Sequence, residues 1–547
     1  MAGRMKQLPG IAAVQPAGDR RKKKLSAVTW LLIVIFVCQF AMLCYFNLTQ
    51  MRNHTGYDSS WNYLRAALMW DEKAFFSPNW DETTDLSLDN LLPFASLLYG
   101  LSGNILLSFG IVNQLMVVVL LAFVWKILAR LNVRTTGRFI AWNLVICPYL
   151  TSGFSRNNDL GYFSCVLSNA SYYSMRVLFV LMIIYAFLNM TQKGKWGAVG
   201  WLLFPACLLS GCSSGVYLIV IAFVPYLAYE IEMAMIRNDW KQLIRRESLF
   251  AYACCVLVVV GKILALTVIR FEAMDSTRSW TTLEKLWTNI GAVAQGLMKL
   301  MQALPVTGDH HVMSTTGLLR MFALGLFIMM MIALVTVCRR TVKNLKEQDG
   351  SALFLINLVL VNFLVFALFD VQYGASFFEE RYLVTTFFAL ALVAALFFDG
   401  LDESKVSTGM LTLFMAVSIL MVDGHSDVNY LTTTNDEWQI DEIQSLAESQ
   451  QAGIVYFWGD DLTVVSRAMR ACDTNRIYKA LPDSGGWYIH WGDYTTYDEN
   501  EDFTGPTMLV FDREKQLVPE HILAEFTPLM ELDSVSVYAS DHNPRLF

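Results

Sequence analysis

Two acidic residues stand where a chemical step on a hydrophilic substrate could be carried out. Asp58 lies in Tyr57-Asp58-Ser59-Ser60-Trp61, shortly beyond an apolar run at 25–46, and Asp159 closes Ser155-Arg156-Asn157-Asn158-Asp159, just past an apolar run at 139–154. One carboxylate on each of two loops can supply a general base and an orienting or metal-binding partner for a transfer reaction. Either acid can also be a solvated loop residue or a helix cap, and spacing alone leaves that alternative standing. Cations form a second set: Arg65, Arg156, Arg176, Lys262 and Arg381. Lys262 sits inside CCVLVVVGKILALTVIR, where a charge at the helix centre costs roughly 2.5–3.5 kcal/mol. It either snorkels to the outer end of its helix or binds an anion such as a lipid phosphate. Arg381 opens an apolar segment within Glu379-Glu380-Arg381-Tyr382. A guanidinium there can clamp phosphate oxygens bidentately, and an internal Arg–Glu pair is the alternative. His310-His311 point in different directions on any regular element and carry no spaced carboxylate, which makes a poor metal site. Walker A and G-x-G-x-x-G patterns are missing, which disfavours nucleotide-driven transport.

The elements that must position these residues are membrane spans. Charged residues make up 16% of the chain and hydrophobic ones 55%, against about 25% charged in a soluble domain. The deficit is concentrated in apolar runs long enough to cross a bilayer. Residues 1–24 form a polar N-terminus ending in Arg20-Arg21-Lys22-Lys23-Lys24, and the run at 25–46 that follows is too long for a signal peptide and lacks a small-residue cleavage site. Positive residues are retained inside, so this basic N-terminus is expected to be cytoplasmic. Further spans are expected near 106–128, 139–154, 175–191, 198–210, 214–231, 248–270, 318–338, 352–370, 382–399 and 409–423. Alternating from an inside N-terminus, the inner connections then carry Arg130, Arg134, Arg138, Lys193, Lys195, Arg237, Arg245, Arg246, Arg339 and Arg340. The turn Gly211-Cys212-Ser213-Ser214-Gly215 reads as an outside connection or as a break within one helix. About eleven spans place long loops at 47–105 and 271–317, together with the C-terminus, on the outer face of the plasma membrane. An amphipathic stretch at 61–70 in the first loop is expected to lie in the interface.

Beyond about 428 the pattern changes to that of a small α/β domain, 428–547, with helices at 441–450 and 462–469 and strands at 453–458, 506–512 and 534–540. From His425 to Phe547 there are 22 Asp and Glu against 7 Lys and Arg. The remainder of the chain is therefore basic although the whole carries −7. No basic stripe with interleaved aromatics occurs, so nucleic acid is not an expected partner. All ten cysteines except Cys472 lie in or beside apolar segments, and no C-x-x-C is present, so neither a disulfide framework nor a zinc site is expected. Sequons begin at Asn47, Asn53, Asn169 and Asn189, a pattern that arises often by chance.

An inside N-terminus, an acid just past the first span, a long first outer loop, a second outer acid and a late Glu-Arg-Tyr element resemble the integral-membrane type C glycosyltransferases, the GT-C fold, over 25–423. The resemblance implies a polytopic α-helical membrane domain of about eleven helices carrying an extracytoplasmic α/β domain. It implies an enzyme of the bacterial cell-surface type that moves a sugar, usually with inversion, from a polyprenyl-phosphate carrier to a glycan, lipid or protein acceptor. Asp58 matches the first-loop acid, the catalytic base, and Asp159 the second-loop acid. Arg381 resembles the arginine of the late Arg-Tyr element; Arg65, Arg156, Lys262, Glu380 and Tyr382, taken from their own positions, are further candidates for contact with the lipid phosphate. The chain departs from protein O-mannosyltransferases in having Asp58-Ser59 in place of Asp-Glu. It departs from oligosaccharyltransferases in having His490-Trp491-Gly492-Asp493-Tyr494 in mid-domain in place of Trp-Trp-Asp-Tyr-Gly. No cofactor is called for, and a need for a divalent cation stays open. The competing expectations are a non-catalytic exporter or flippase and a polymerase or ligase of lipid-linked surface polysaccharide.

Overall fold

The computed structural model describes residues 25–55, 57–76, 86–150, 161–270, 279–304, 311–344, 350–370, 380–402, 405–432, 440–459, 469, 477–481, 503–512, 518–533 and 535–544. The membrane part is built from α1 (Ala27–Tyr45), α2 (Tyr57–Asp71), α3 (Leu92–Ser102), α4 (Ile105–Arg130), α5 (Thr135–Ile146), α6 (Ser174–Lys193), α7 (Gly197–Ser214), α8 (Val224–Arg237), α9 (Arg246–Leu264), α10 (Leu283–Leu300), α11 (Thr315–Asn344), α12 (Ser351–Leu368), α13 (Val384–Asp399) and α14 (Val406–Thr432). Several are extended by π or 3₁₀ turns, so that Ala27–Gln50, Ile219–Arg237, Arg246–Ile269 and Glu380–Asp399 run as continuous helical spans. Among the described residues ten helices are long and apolar enough to cross a membrane.

An eleventh crossing is only partly helical. α5 has 12 residues, about 18 Å at 1.5 Å per residue, and it stops at Ile146 because Pro148 disfavours helical backbone in the residue before it. Proline also has no N–H to offer the carbonyl four residues back. The Tyr149 hydroxyl donates to that Leu144 carbonyl at 2.9 Å, and the Tyr162 hydroxyl donates to the Val145 carbonyl. The chain then continues non-helical and buried through Leu150, with Tyr149 in the left-handed region (φ 53°), and the Leu150 N–H donates to Ser426 Oγ at 2.9 Å. Non-helical backbone at membrane depth is tolerated where protein buries it.

Contacts at the two ends of the bundle fix its parity. At one end Thr29 of α1 meets Thr136 of α5 (2.8 Å), Gln192 of α6 donates to the Arg130 carbonyl of α4, and Arg134 pairs with Asp399 of α13 (3.0 Å). At the other end Asn47, directly after α1, donates to the Leu167 carbonyl (2.9 Å) and the Phe46 ring lies 4.1 Å from Tyr430 near the end of α14. α1 and α14 therefore run in the same direction, and the two chain ends emerge on opposite faces. Arg130, Arg134, Lys193, Arg339 and Arg340 all lie at the end where α1 starts.

Glycine sets the tightest helix pair. A Cβ on Gly211 would lie 2.1 Å from the Val258 carbonyl oxygen, and one on Gly261 would lie 2.3 Å from that of Leu208. α7 and α9 thus cross backbone to backbone, as small residues permit in membrane bundles. α7 continues to Ser214 and turns at Gly215 (φ 62°), so Gly211 to Ser214 belong to the helix and the connection is shorter than the five-residue turn expected. α2 differs from expectation too: Tyr63, Leu64, Ala66 and Leu68 are buried, as are Ser59, Ser60 and Arg65, so it is packed on most sides and does not lie open in an interface. α14 runs past 423, the expected end of the last span, to Thr432.

After α14 comes α15 (Ile440–Ser449) and a five-stranded sheet of β3 (Ile454–Trp458), β4 (Ile477–Leu481), β5 (Thr507–Asp512), β6 (Thr527–Glu531) and β7 (Val535–Ser540) in the order β4-β3-β5-β7-β6. A two-stranded ladder, β1 (Ser279–Trp280) with β2 (Phe369–Asp370), precedes it in sequence. β3 is parallel to β4 and β5, while β7 is antiparallel to β5 and β6. Alternation at β3 sends Val455 and Phe457 to one face under Ile443 and Ala447 of α15, and Ile454 and Tyr456 to the other face with Ile522 and Phe526. The expected strands at 453–458, 506–512 and 534–540 and the helix at 441–450 are present; the helix expected at 462–469 lies outside the described residues apart from Met469. Arg52, just after α1, pairs with Asp441 of α15 at 2.7 Å, which puts the sheet on the face where α1 ends.

The parity predicts that Lys343 and Asp533, both exposed, report on opposite faces. In intact cells an impermeant maleimide is expected to label the Asp533→Cys variant and to reach the Lys343→Cys variant only after permeabilisation. Labelling of both from one side would overturn the crossing by α5.

Candidate active site

The first loop leaves α1 through a π turn, Phe46–Gln50, and a 3₁₀ turn, Met51–His54, and α2 begins at Tyr57. Asp58 is thus in the first turn of α2, where the free N–H groups and the helix dipole favour a carboxylate. Its side chain lies outside the described residues, as do Arg156 and Asp159 entirely. What the structure fixes is the backbone on either side of both acids.

Three buried asparagines do this. Asn47 Nδ2 donates to the Leu167 carbonyl at 2.9 Å, and Asn113 Nδ2 of α4 donates to the Asn169 carbonyl at 2.6 Å. Asn169 Nδ2 donates to the His54 carbonyl at 3.3 Å and to Ser164 Oγ at 3.0 Å. The turn that follows Asp159 is thereby hydrogen-bonded to the turn that precedes Asp58. Gly110 lets the chain come this close to α4: a Cβ there would lie 1.8 Å from the Asn47 carbonyl oxygen. The His54 ring stacks on Tyr430 with centroids 3.7 Å apart, and Phe163 packs on the same tyrosine at 5.1 Å. On the other side of the second acid, Asn429 Nδ2 donates to the Leu150 carbonyl. The end of α14 therefore touches all three segments that flank the two acids.

A second cluster adjoins α2. Arg65 is 2% exposed, donates to the Leu86 carbonyl at 2.9 Å and sits over the Trp61 ring at 5.6 Å. The turn that begins at Leu86 ends in Asp89, which is fully buried. Ser213 Oγ donates to Asp89 at 2.7 Å, Ser210 Oγ at 3.5 Å and Ser214 Oγ also donates to it, while Arg176 lies 3.3 Å from it as its ion-pair partner. Arg176 is held between the rings of Tyr173 (5.1 Å) and Tyr217 (5.5 Å). Tyr173 in turn lies 6.5 Å from the Tyr382 ring, and Arg381 lies over Tyr382 at 5.6 Å. Burial pushes the Tyr173 phenol well above its usual range, and Arg381 and then Arg176 are close enough to oppose that shift. Two cations thus face one buried tyrosine. Glu380, Arg381 and Tyr382 are half-buried in a 3₁₀ turn ahead of α13. Lys262 stands apart from them, exposed on α9.

Of the cations named from sequence, Arg176 and Arg381 come together, whereas Arg65 is built into the turn at Leu86 and Lys262 faces outward. Asp89 was not foreseen. Its partners on α6 and α7 are more than 85 residues away in sequence, so no local spacing marks it. Among the described residues no group of three or more His, Cys, Asp or Glu gathers to hold a metal ion.

Two outcomes follow from this geometry. Removing Asp89 takes the carboxylate from a largely buried guanidinium, so Asp89→Ala is expected to destabilise by roughly 3 kcal/mol, read as a lowered unfolding midpoint in detergent. Burial lowers the His54 pKa from its ordinary 6.5 to about 4. The unfolded chain then binds more protons than the folded one over that interval, so stability is full above pH 6.5 and is lost as pH falls toward 4, on the order of 3 kcal/mol in all. His54→Phe keeps the stack on Tyr430 and is expected to flatten that part of the stability profile.

No family model matches the sequence, and no curated protein matches it. Solved structures do. ArnT from Cupriavidus metallidurans bound to undecaprenyl phosphate superposes with a TM-score of 0.58 over 94% of this chain and 98% of that one, at 11% identity. The same protein in its apo state gives 0.55 over the same shares at 12% identity. Identity this low speaks to architecture alone, and the architecture is the one the sequence resemblance implied: the chain is a polytopic membrane protein with the GT-C fold and a C-terminal α/β sheet region.

Proposed function

We propose that the protein is a membrane glycosyltransferase that moves a sugar from a polyprenyl-phosphate carrier to a cell-envelope acceptor, with inversion at the anomeric carbon. The observation that carries this reading is the hydrogen-bonded junction of the two acid-bearing loops, Asn169 to His54 above all. That junction lies at the same end of the bundle as the Arg381, Tyr382, Tyr173 and Arg176 cluster. A fold does not by itself assign an activity. The likeness to a protein solved with undecaprenyl phosphate supports a lipid-linked donor in particular.

In this mechanism Asp58 takes the proton from an acceptor hydroxyl as the oxygen attacks the anomeric carbon, with Asp159 orienting the acceptor or a divalent cation. The bond from that carbon to the phosphate oxygen breaks, and the electron pair leaves with the polyprenyl phosphate. Arg381 neutralises the charge gained by the leaving phosphate, in a pocket completed by Glu380, Tyr382 and Arg156, while Arg65 braces the turn at Leu86. Preorganised cations in a water-poor site are worth more than the same groups in water. The membrane part through the end of α14, 25–432, forms the catalytic domain, and the α/β region that follows it an extracytoplasmic accessory domain that positions the acceptor. The basic end of the bundle is cytoplasmic, which sets the site at the outer face of the plasma membrane.

Two substitutions separate base from clamp. Asp58→Asn keeps size and polarity but cannot take a proton, and is expected to lower turnover roughly 10²–10⁴-fold with donor affinity unchanged. Arg381→Ala is expected to weaken donor binding, because the phosphate then sits without its counter-charge. A folded, membrane-inserted Asp58→Asn protein with full activity on its lipid-linked donor would remove the assignment of Asp58 as the base.

A further inference from the structure

Lys262 is an exposed charge in a lipid-facing surface. It lies seven positions before Ile269, the end of its span, about 10 Å below it. Its neighbours on α9 are apolar and open: Val259 is 43% exposed, Ile263 51% and Leu266 54%. The next residue back is Gly261, at the backbone-to-backbone crossing with α7. The lysine stem lies over the end of α7, its Cδ 3.8 Å from where a Cβ of Gly215 would be. On the inner side of that end are Ser213 and Ser214, which hold Asp89, and then Arg176 between Tyr173 and Tyr217. Tyr382 and Arg381 come next. The positive groups Lys262, Arg176 and Arg381 therefore follow one another from the bilayer surface inward around the end of α7, with tyrosine faces between Arg176 and Arg381.

We infer that the α7–α9 seam is the lateral entry for the donor, with Lys262 capturing the phosphate headgroup of the polyprenyl carrier from the bilayer and handing it over the Gly215 turn toward Arg176 and Arg381. This rests on the lipid-linked donor reading and adds to it an entry step that the proposed transfer does not require Lys262 to perform. The crossing at Gly211 and Gly261 is too close for an acyl chain to pass between the helices, so the polyprenyl tail stays in the lipid while the headgroup passes over the top. The carboxylate of Asp89 does not oppose the passage, because it is fully buried and already holds Arg176 and the serine hydroxyls. A lysine is a compact charge on a flexible stem, suited to capture and release, whereas an arginine suits a fixed bidentate clamp.

The test uses the full-length protein in phosphatidylcholine nanodiscs with a diazirine-bearing polyprenyl phosphate, photolysed at intervals and mapped by mass spectrometry. Wild type is expected to be labelled in 256–266 early and in 380–386 later. Lys262→Ala is expected to lower the early labelling roughly fivefold, the upper end for one exposed ion pair, and to delay the later labelling. Lys262→Arg should restore the early labelling and leave the later labelling delayed, as a fixed clamp would. Because Lys262 is exposed, the unfolding midpoint should not move. Unchanged labelling of Lys262→Ala overturns the inference, as does equal competition at the seam by unlabelled phosphatidylglycerol, which would mark a site for bulk anionic lipid. Labelling of 380–386 without 256–266 overturns the entry route while leaving the donor reading intact; labelling of neither in wild type removes both.

Discussion

Where a chain leaves the helix inside a membrane protein, its carbonyls must find donors within the protein, because lipid offers none. In this molecule asparagine side chains meet that need again and again. Asn47, Asn113 and Asn169 donate to carbonyls of the two loop turns, Asn143 to Leu32, Asn362 to Ile221 in the π turn ahead of α8, and Asn429 to Leu150. The donations from Asn113, Asn362 and Asn429 hold an irregular stretch against a regular helix, those from Asn47 and Asn169 join two irregular stretches, and that from Asn143 joins α5 to α1. The described segments that flank Asp58 and Asp159 in sequence are held in this way, by backbone satisfaction in an apolar setting.

A charged counterpart operates at the turn beginning with Leu86. Asp89 is buried without residue exposure, and it is accepted there because Arg176 and serine hydroxyls surround it, which is the condition under which a buried ion is stable. The same Arg176 stacks on two tyrosines that lead toward Arg381. One guanidinium therefore links the first loop, the start of α6, the end of α7 and the turn before α13. By contrast, the link between sheet and bundle at Arg52 and Asp441 is an exposed pair, of the kind worth little in water.

Much of the architecture was legible in the sequence because spans announce themselves by length and apolar composition, and because basic residues cluster at one end of them. The strands β3, β5 and β7 were legible from their apolar runs, whereas β4 and β6, the two edges of the sheet, were not. In β6 the residues are mostly exposed, so burial imposes no alternation to read. The truncation of α5 was written in Pro148 and overlooked because hydropathy continues through Cys147 and Leu150. The asparagine clasps and Asp89 were illegible for another reason: a side chain that bonds a carbonyl 56 or 120 residues away leaves no periodic trace. Arg176 and Arg381 were visible as cations near span ends, but their meeting at Tyr173 depends on how three helices pack.

The half-helical crossing has a consequence for how the protein is made. A 12-residue helix followed by non-helical chain cannot rest in lipid by itself, since the amide and carbonyl of Leu150 would be unpaired there. The groups that pair them, Ser426 and Asn429, are synthesised 276 and 279 residues later. Nascent α5 must therefore wait beside the insertion machinery, or shelter against α1 and α4, until α14 arrives. The last transmembrane helix to leave the ribosome is the one that completes the third crossing, so a chain truncated before α14 is left with an unsealed defect near its beginning and becomes a substrate for membrane quality control.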